Sequence, residues 1–151
     1  MISLASDAVV IDAPCIFEDS GINKIGDKYY YSYCSNWSVP QSSKDELGLN
    51  TAQICYMTSD SPMGPFEYQG VVFPNPGDFF GNHYNNHHCL FEFNGKWYLT
   101  YHAQTLESAM GIHKLYRSVH VDELTINEDG SIKKVIGTYR SEERRVGKEC
   151  S

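Results

Sequence analysis

Hydrophobic positions along the chain fall in short, strand-length runs separated by turns rich in Gly, Pro, Asn and Asp. Met1 to Ala13 mixes small and apolar residues without a clear period, and Pro14 closes it. Cys15 to Lys24 predicts a strand, Gly26-Asp27 a tight turn, and Lys28 to Ser35 the antiparallel partner. Asn36 to Asn50 is polar, holds Pro40 and Gly48, and predicts a loop. Gln53 to Ser59 and Phe66 to Phe73 predict two further strands, joined by the turn Ser61-Pro62-Met63-Gly64-Pro65. After a second loop, Pro74 to Asn86, the pattern resumes. His88 to Phe93 and Lys96 to Ala103 predict a hairpin closed by Asn94-Gly95, a pair that favours the tight turns matching strand twist. Lys114 to Asp122 predicts another strand, Asn127 to Gly130 a turn, and Ser131 to Val135 a short closing strand. No segment carries a convincing helical period.

The pattern repeats. Lys28-Tyr29-Tyr30-Tyr31-Ser32-Tyr33 aligns with Lys96-Trp97-Tyr98-Leu99-Thr100-Tyr101 at an offset of 68 residues, each copy preceded by a turn and a strand. Antiparallel hairpins repeating at about that length predict propeller blades, so the expected fold is all-β. The offset carries Glu18 onto Asn86, one residue before His87. The first strand of a blade lines the central channel, which predicts that Glu18 and His87 meet at one site.

Composition agrees with β structure: 13% of the 151 residues are aromatic, with eleven Tyr and seven Phe, side chains that pack well on pleated surfaces. A net charge of −7 with no basic block before the tail argues against nucleic-acid and anionic-membrane partners. No apolar run approaches a membrane span, and no secretory core opens the sequence. Cys15, Cys34, Cys55, Cys89 and Cys150 stand singly, without a Cys-x-x-Cys pair, and are expected to be buried free thiols. Arg140 to Ser151 reads as the translation of a short-read sequencing adapter, so residues 140–151 are expected to be a non-native tail and 1–139 a fragment of a longer propeller.

The chemistry concentrates at Phe17-Glu18, a carboxylate after a large aromatic at the head of a hairpin. Such a group is either a solvated strand end or a catalytic acid. Phe17-Glu18, Ser20-Gly21-Ile22, Lys24 and then Tyr29-Tyr30, Ser32-Tyr33 form one motif, and Asn86-His87-His88-Cys89 with Phe91 and Gly95-Lys96-Trp97-Tyr98 forms a second. Pro62-Met63-Gly64-Pro65-Phe66 and Tyr116-Arg117-Ser118-Val119-His120-Val121-Asp122 follow in order. Together, from about Cys15 to Thr138, they resemble the C-terminal half of family 43 glycoside hydrolases, five-bladed β-propellers that act on arabinose- and xylose-containing plant polysaccharides.

The resemblance implies a partial five-bladed propeller, blades four and five, of an inverting β-xylosidase or α-L-arabinofuranosidase. Glu18 matches the general acid, in preference to Asp12, which lies too far upstream. An acid of this kind needs a raised pKa, for which apolar neighbours such as Phe17 and a nearby carboxylate are the expected causes. His87 matches an axial histidine near a central cation, often calcium, reached through water; no cofactor is otherwise required. Arg117 matches an arginine that reaches toward sugar or carboxylates. His88, next to His87 on a strand, is expected to face the other way, so the two do not chelate together. Trp37 and Phe80 are the loop aromatics expected to stack on a sugar ring. The expected partner is an oligosaccharide derived from plant polysaccharide, and such a substrate favours an extracellular or periplasmic setting for the parent. Inversion also needs a base about 6.5–9.5 Å from the acid. No Asp here stands in a matching motif, so the fragment alone is expected to hydrolyse little or nothing. The alternative reading is a non-catalytic sugar-binding propeller, with Trp37, Phe79, Phe80 and Tyr84 as stacking platforms.

Overall fold

The computed structural model describes residues 6–139, so the tail 140–151 lies outside it. Two antiparallel sheets make up the fold. The first is β1 (Ile16–Ile25), β2 (Lys28–Ser35), β3 (Ile54–Ser59) and β4 (Glu67–Phe73), in sequential order. The second is β5 (His88–Phe93), β6 (Lys96–Ala103) and β7 (Ser118–Leu124), again in order. The hairpins form where turn residues demand them. Asn94 and Gly95 both take positive φ, 52° and 73°, the conformation that matches strand twist in a two-residue turn. β2 and β6 hold the two copies of the repeat and begin 68 residues apart.

β2 reads Lys-Tyr-Tyr-Tyr-Ser-Tyr-Cys-Ser because it is buried on both faces. Tyr30 and Cys34, with Ile54 and Tyr56 of β3, enter a core shared with Leu90, Leu99, Tyr101 and Leu124 of the second sheet. The intervening Tyr31 and Tyr33, with Cys55 and Met57, enter a second core with Ala13 and Leu49. That is the two-residue period of a pleated strand. Each fully buried Leu, Ile or Phe of these cores contributes on the order of 1.5–3 kcal/mol. The tyrosines keep their hydroxyls satisfied: Tyr33 donates to the Pro14 carbonyl at 2.8 Å, and Tyr31 lies 2.7 Å from Ser20 Oγ.

The segment after β7 ties the sheets together. Tyr30 Oη donates to the Gly130 carbonyl at 2.7 Å, the Ile132 N–H donates to Tyr56 Oη at 3.0 Å, and the Val135 N–H donates to the Val72 carbonyl at 2.8 Å. This crossing is why the expected closing strand, Ser131 to Val135, is not one. It makes only an isolated bridge, Ile126 with Ile132, before it leaves for the first sheet. The strand expected from Lys114 begins at Ser118 instead. The carboxylate of Glu107 accepts the N–H groups of Lys114 and Tyr116, both at 2.9 Å, and Leu115 between them takes φ 63°, so these residues belong to a loop.

Three short helices also correct the expectation of none: α1 (Gln41–Leu47), α2 (Gly77–Phe80) and α3 (Thr105–Ala109). They are too short to display a period. The signals present were at their ends, Pro40 with Gly48 around α1 and Pro76 with Gly81 around α2, where Pro starts and a left-handed Gly stops a helix. All three lie in the long connections, residues 36–53, 74–87 and 104–117. Because the strands alternate in direction, these connections share one end of the two sheets. The opposite end carries the two-residue turns 26–27 and 94–95, the connection 60–66 and the start of the segment after β7.

Candidate active site

Glu18 stands at the loop end of β1, where the pairing with β2 is irregular. Ile16 pairs with Ser35, Glu18 with Cys34 and Gly21 with Ser32, so β1 uses ten residues against eight. The two extra residues are bulges, a device that re-aims side chains next to functional sites. Asp19, within the bulge, takes φ 62°. The bulge also changes the structural counterpart of Glu18. Cys34 corresponds to His102 in the second hairpin, and His102 stands opposite His87 rather than Asn86.

The two counterparts touch. His87 Nε2 lies 2.8 Å from Glu18 Oε1, joining the heads of the two inner strands. Asn85 Nδ2 approaches the same imidazole nitrogen at 3.4 Å, and Arg117 donates to Asn85 Oδ1 at 3.4 Å. The His87 N–H donates to His102 Nε2 at 3.4 Å, and the two rings meet edge to face at 5.5 Å. Burial, then the charges of Arg117 and His87, push His102 down to about 4 against the pull of Asp19 and Glu18. His102 is therefore neutral at physiological pH and holds its lone pair for the His87 N–H.

Behind this cluster lies a second contact of the same kind. Asp19 Oδ2 accepts from the His88 N–H and from His88 Nδ1, both at 2.5 Å, and His88 Nε2 lies 2.7 Å from Ser32 Oγ. Burial works to raise the Asp19 carboxyl, but the hydrogen bonds and charge of His88 prevail and hold it below the usual carboxylate range. His87 and His88 thus engage different carboxylates and do not share a ligand.

Among the sequence candidates, Glu18, His87 and Arg117 come together through Asn85. Trp37 is 43% exposed on the β2–β3 connection at the same end. Phe80 does not join them: its ring packs against His120 at 5.1 Å and Tyr139 at 4.7 Å, on the shared core, so its role is packing. Asn86 is structural too, fully buried, with Nδ2 donating to the carbonyls of Ala52 and Pro74. Phe17 is about half exposed and offers little desolvation. Sequence reasoning missed Asn85, His102 and Asp19. Of these, Asn85 stands two residues before His87 and Asp19 directly after Glu18, whereas His102 carried no local signal.

Among the described residues, no group of three or more His, Cys, Asp or Glu side chains is arranged to hold a metal ion. Calcium takes six to eight oxygen ligands. His87 offers nitrogen alone, already facing Glu18, so the residues present do not make a calcium site by themselves. Among the described residues no helix is long and apolar enough to cross a membrane.

Antiparallel sheets side by side, inner strand heads converging and long loops at one end define the class, a β-propeller. No family model matches the chain. It is 49% identical over 138 residues to an arabinoxylan arabinofuranohydrolase of Paenibacillus polymyxa, covering 91% of this chain and 21% of that protein. It superposes with a TM-score of 0.82 and 48% identity on a family 43 arabinoxylan arabinofuranohydrolase from Bacillus subtilis, solved in complex with cellotetraose, over 91% of this chain and 28% of that one. A β-xylosidase/α-arabinofuranosidase from a compost metagenome, solved with xylotriose in a calcium-free form, matches at TM-score 0.57 and 37% identity over 80% of this chain and 30% of that one. The chain belongs to glycoside hydrolase family 43 and forms part of its propeller. It spans between about a fifth and a third of the relatives' length.

Proposed function

We propose that this segment supplies the acid side of the active site of an inverting glycoside hydrolase that removes arabinose or xylose units from plant polysaccharide. The observation that carries the reading is the contact of Glu18 with His87 at the loop end of the two inner strands. Glu18 donates its proton to the glycosidic oxygen as the bond breaks. His87 and the Arg117–Asn85 pair orient the carboxyl and the sugar hydroxyls, and Trp37 offers an exposed aromatic face to a ring. Asp19 is committed to His88 and is not free to act as the base. The base comes from a part of the propeller outside this chain, about 6.5–9.5 Å from Glu18 with the attacking water between them. A Ca2+ ion bound at the propeller axis would be met by His87 through water rather than directly.

The test is Glu18→Gln in the full-length hydrolase, assayed on aryl arabinofuranosides and aryl xylosides. Loss of the acid lowers kcat on substrates with poor leaving groups by about a hundredfold or more. Unchanged kcat on those substrates refutes the assignment.

A further inference from the structure

We propose that Asp19 is a positioning residue for Glu18: through its double contact with His88 it fixes the direction in which the acid projects. The inference rests on the acid reading of Glu18 and deepens it.

Neighbouring residues of a regular strand point to opposite faces. Glu18 and Asp19 do not behave this way, because both side chains reach the second sheet, Glu18 to His87 and Asp19 to His88. The bulge and the left-handed φ of Asp19 make this geometry available. A non-glycine residue in that conformation is strained and persists only where its surroundings over-determine it. The determinant is visible: one carboxylate oxygen takes both the backbone N–H and the imidazole of His88. His88 is in turn held by Ser32 of β2, the strand that pairs with β1. Asp19, His88 and Ser32 therefore close a loop of contacts running from β1 to β5 to β2, with Glu18 as the next residue.

The same three residue types, in the same order, activate a serine in unrelated hydrolases. That role is closed here, since Ser32 is 1% exposed and the His88 side chain 2%. No substrate reaches the hydroxyl, and the contact is left with orientation as its task. The lowered carboxyl of Asp19 agrees, since an ionised Asp19 keeps both bonds at working pH.

The full-length hydrolase is assayed on two aryl pentosides. A dinitrophenyl glycoside expels a phenolate that leaves unprotonated, whereas a phenyl glycoside needs the proton of the acid. Asp19→Ala lowers kcat on the phenyl substrate by about a hundredfold, the cost of a misplacement on the order of 1 Å, with KM within about twofold and the dinitrophenyl substrate within about threefold. Asp19→Asn, which keeps an acceptor in place, regains at least about tenfold of the loss. Asp19→Gly, which adopts the left-handed backbone without strain, serves as the variant that folds even if Asp19→Ala does not, and it shows the same split between substrates. Equal losses on both substrates, a loss confined to KM, or an unchanged kcat overturns the proposal. Glu18→Gln run in parallel separates the two readings. If it shows no dependence on the leaving group, the acid reading falls and the positioning role with it. If it shows that dependence and the Asp19 variants do not, only the positioning role falls.

Discussion

Tyr30 and Tyr56 stand on the same face of the first sheet, their rings stacked at 6.2 Å, and both hydroxyls bind the segment that returns after β7. Replacing either by Phe keeps the ring, so only the hydroxyl is lost. The two losses differ in what they leave behind. Tyr56→Phe strands the N–H of Ile132, a buried residue, and a buried donor without a partner costs roughly 1–3 kcal/mol. Tyr30→Phe frees the carbonyl of Gly130 in a half-buried turn, where water takes over, so the cost is the net value of one hydrogen bond, about 0.5–1.5 kcal/mol. For a chain of this length about 3 °C accompanies each kcal/mol. Tyr56→Phe therefore lowers Tm by roughly 3–9 °C and Tyr30→Phe by no more than about 5 °C. Thermal unfolding followed by far-ultraviolet circular dichroism reads both. A Tyr30→Phe loss equal to or larger than that of Tyr56→Phe would refute the reasoning, because exposure of the stranded group would then not decide the cost.

His102 makes the fold acid-sensitive. Its folded value near 4 lies below the ordinary 6.5, so the unfolded chain takes up the proton first, and stability falls as pH drops from about 6.5 to about 4. Urea midpoints across that window should flatten in His102→Gln, and an unchanged slope would exclude His102 as the cause. Cys34 and Cys55, each pushed up to about 12 chiefly by burial, should resist iodoacetamide until the chain unfolds, while exposed Cys89 alkylates at once; mass spectrometry of native and urea-treated protein distinguishes them. Gly77→Ala drives a methyl into the ring and backbone atoms of His83, so the β4–β5 connection must move and should become cleavable by protease. Proteolysis at the wild-type rate would show that the connection absorbs the methyl without moving.

The hairpins were legible because their information is local. Asn94-Gly95 and Gly26-Asp27 fix where each chain reverses, and the copies Lys28–Tyr33 and Lys96–Tyr101 fix the repeat. The Glu18–His87 meeting was foreseeable from that repeat, although the offset pointed at Asn86. The one-residue discrepancy is the bulge at Asp19, which is stabilised from another sheet by His88 and has no local signature. Likewise Lys114 to Tyr116 reads as strand, and only the buried carboxylate of Glu107 draws it into a loop. His102 looks like any strand histidine until Arg117 and His87 arrive from elsewhere in the chain. Phe80 shows the converse, a loop aromatic whose neighbours take it inward.

The division between the two ends of the sheets has an evolutionary consequence. Tight turns such as Asn94-Gly95 hold strand register and tolerate little change in length, whereas the three long connections hang from strand ends already fixed by the shared core. Insertions and deletions can accumulate where these connections bury nothing, as along α1, while the bulge at Asp19 keeps Glu18 in place. Descendants of one frame can thus diverge in these loops without renegotiating how the frame folds.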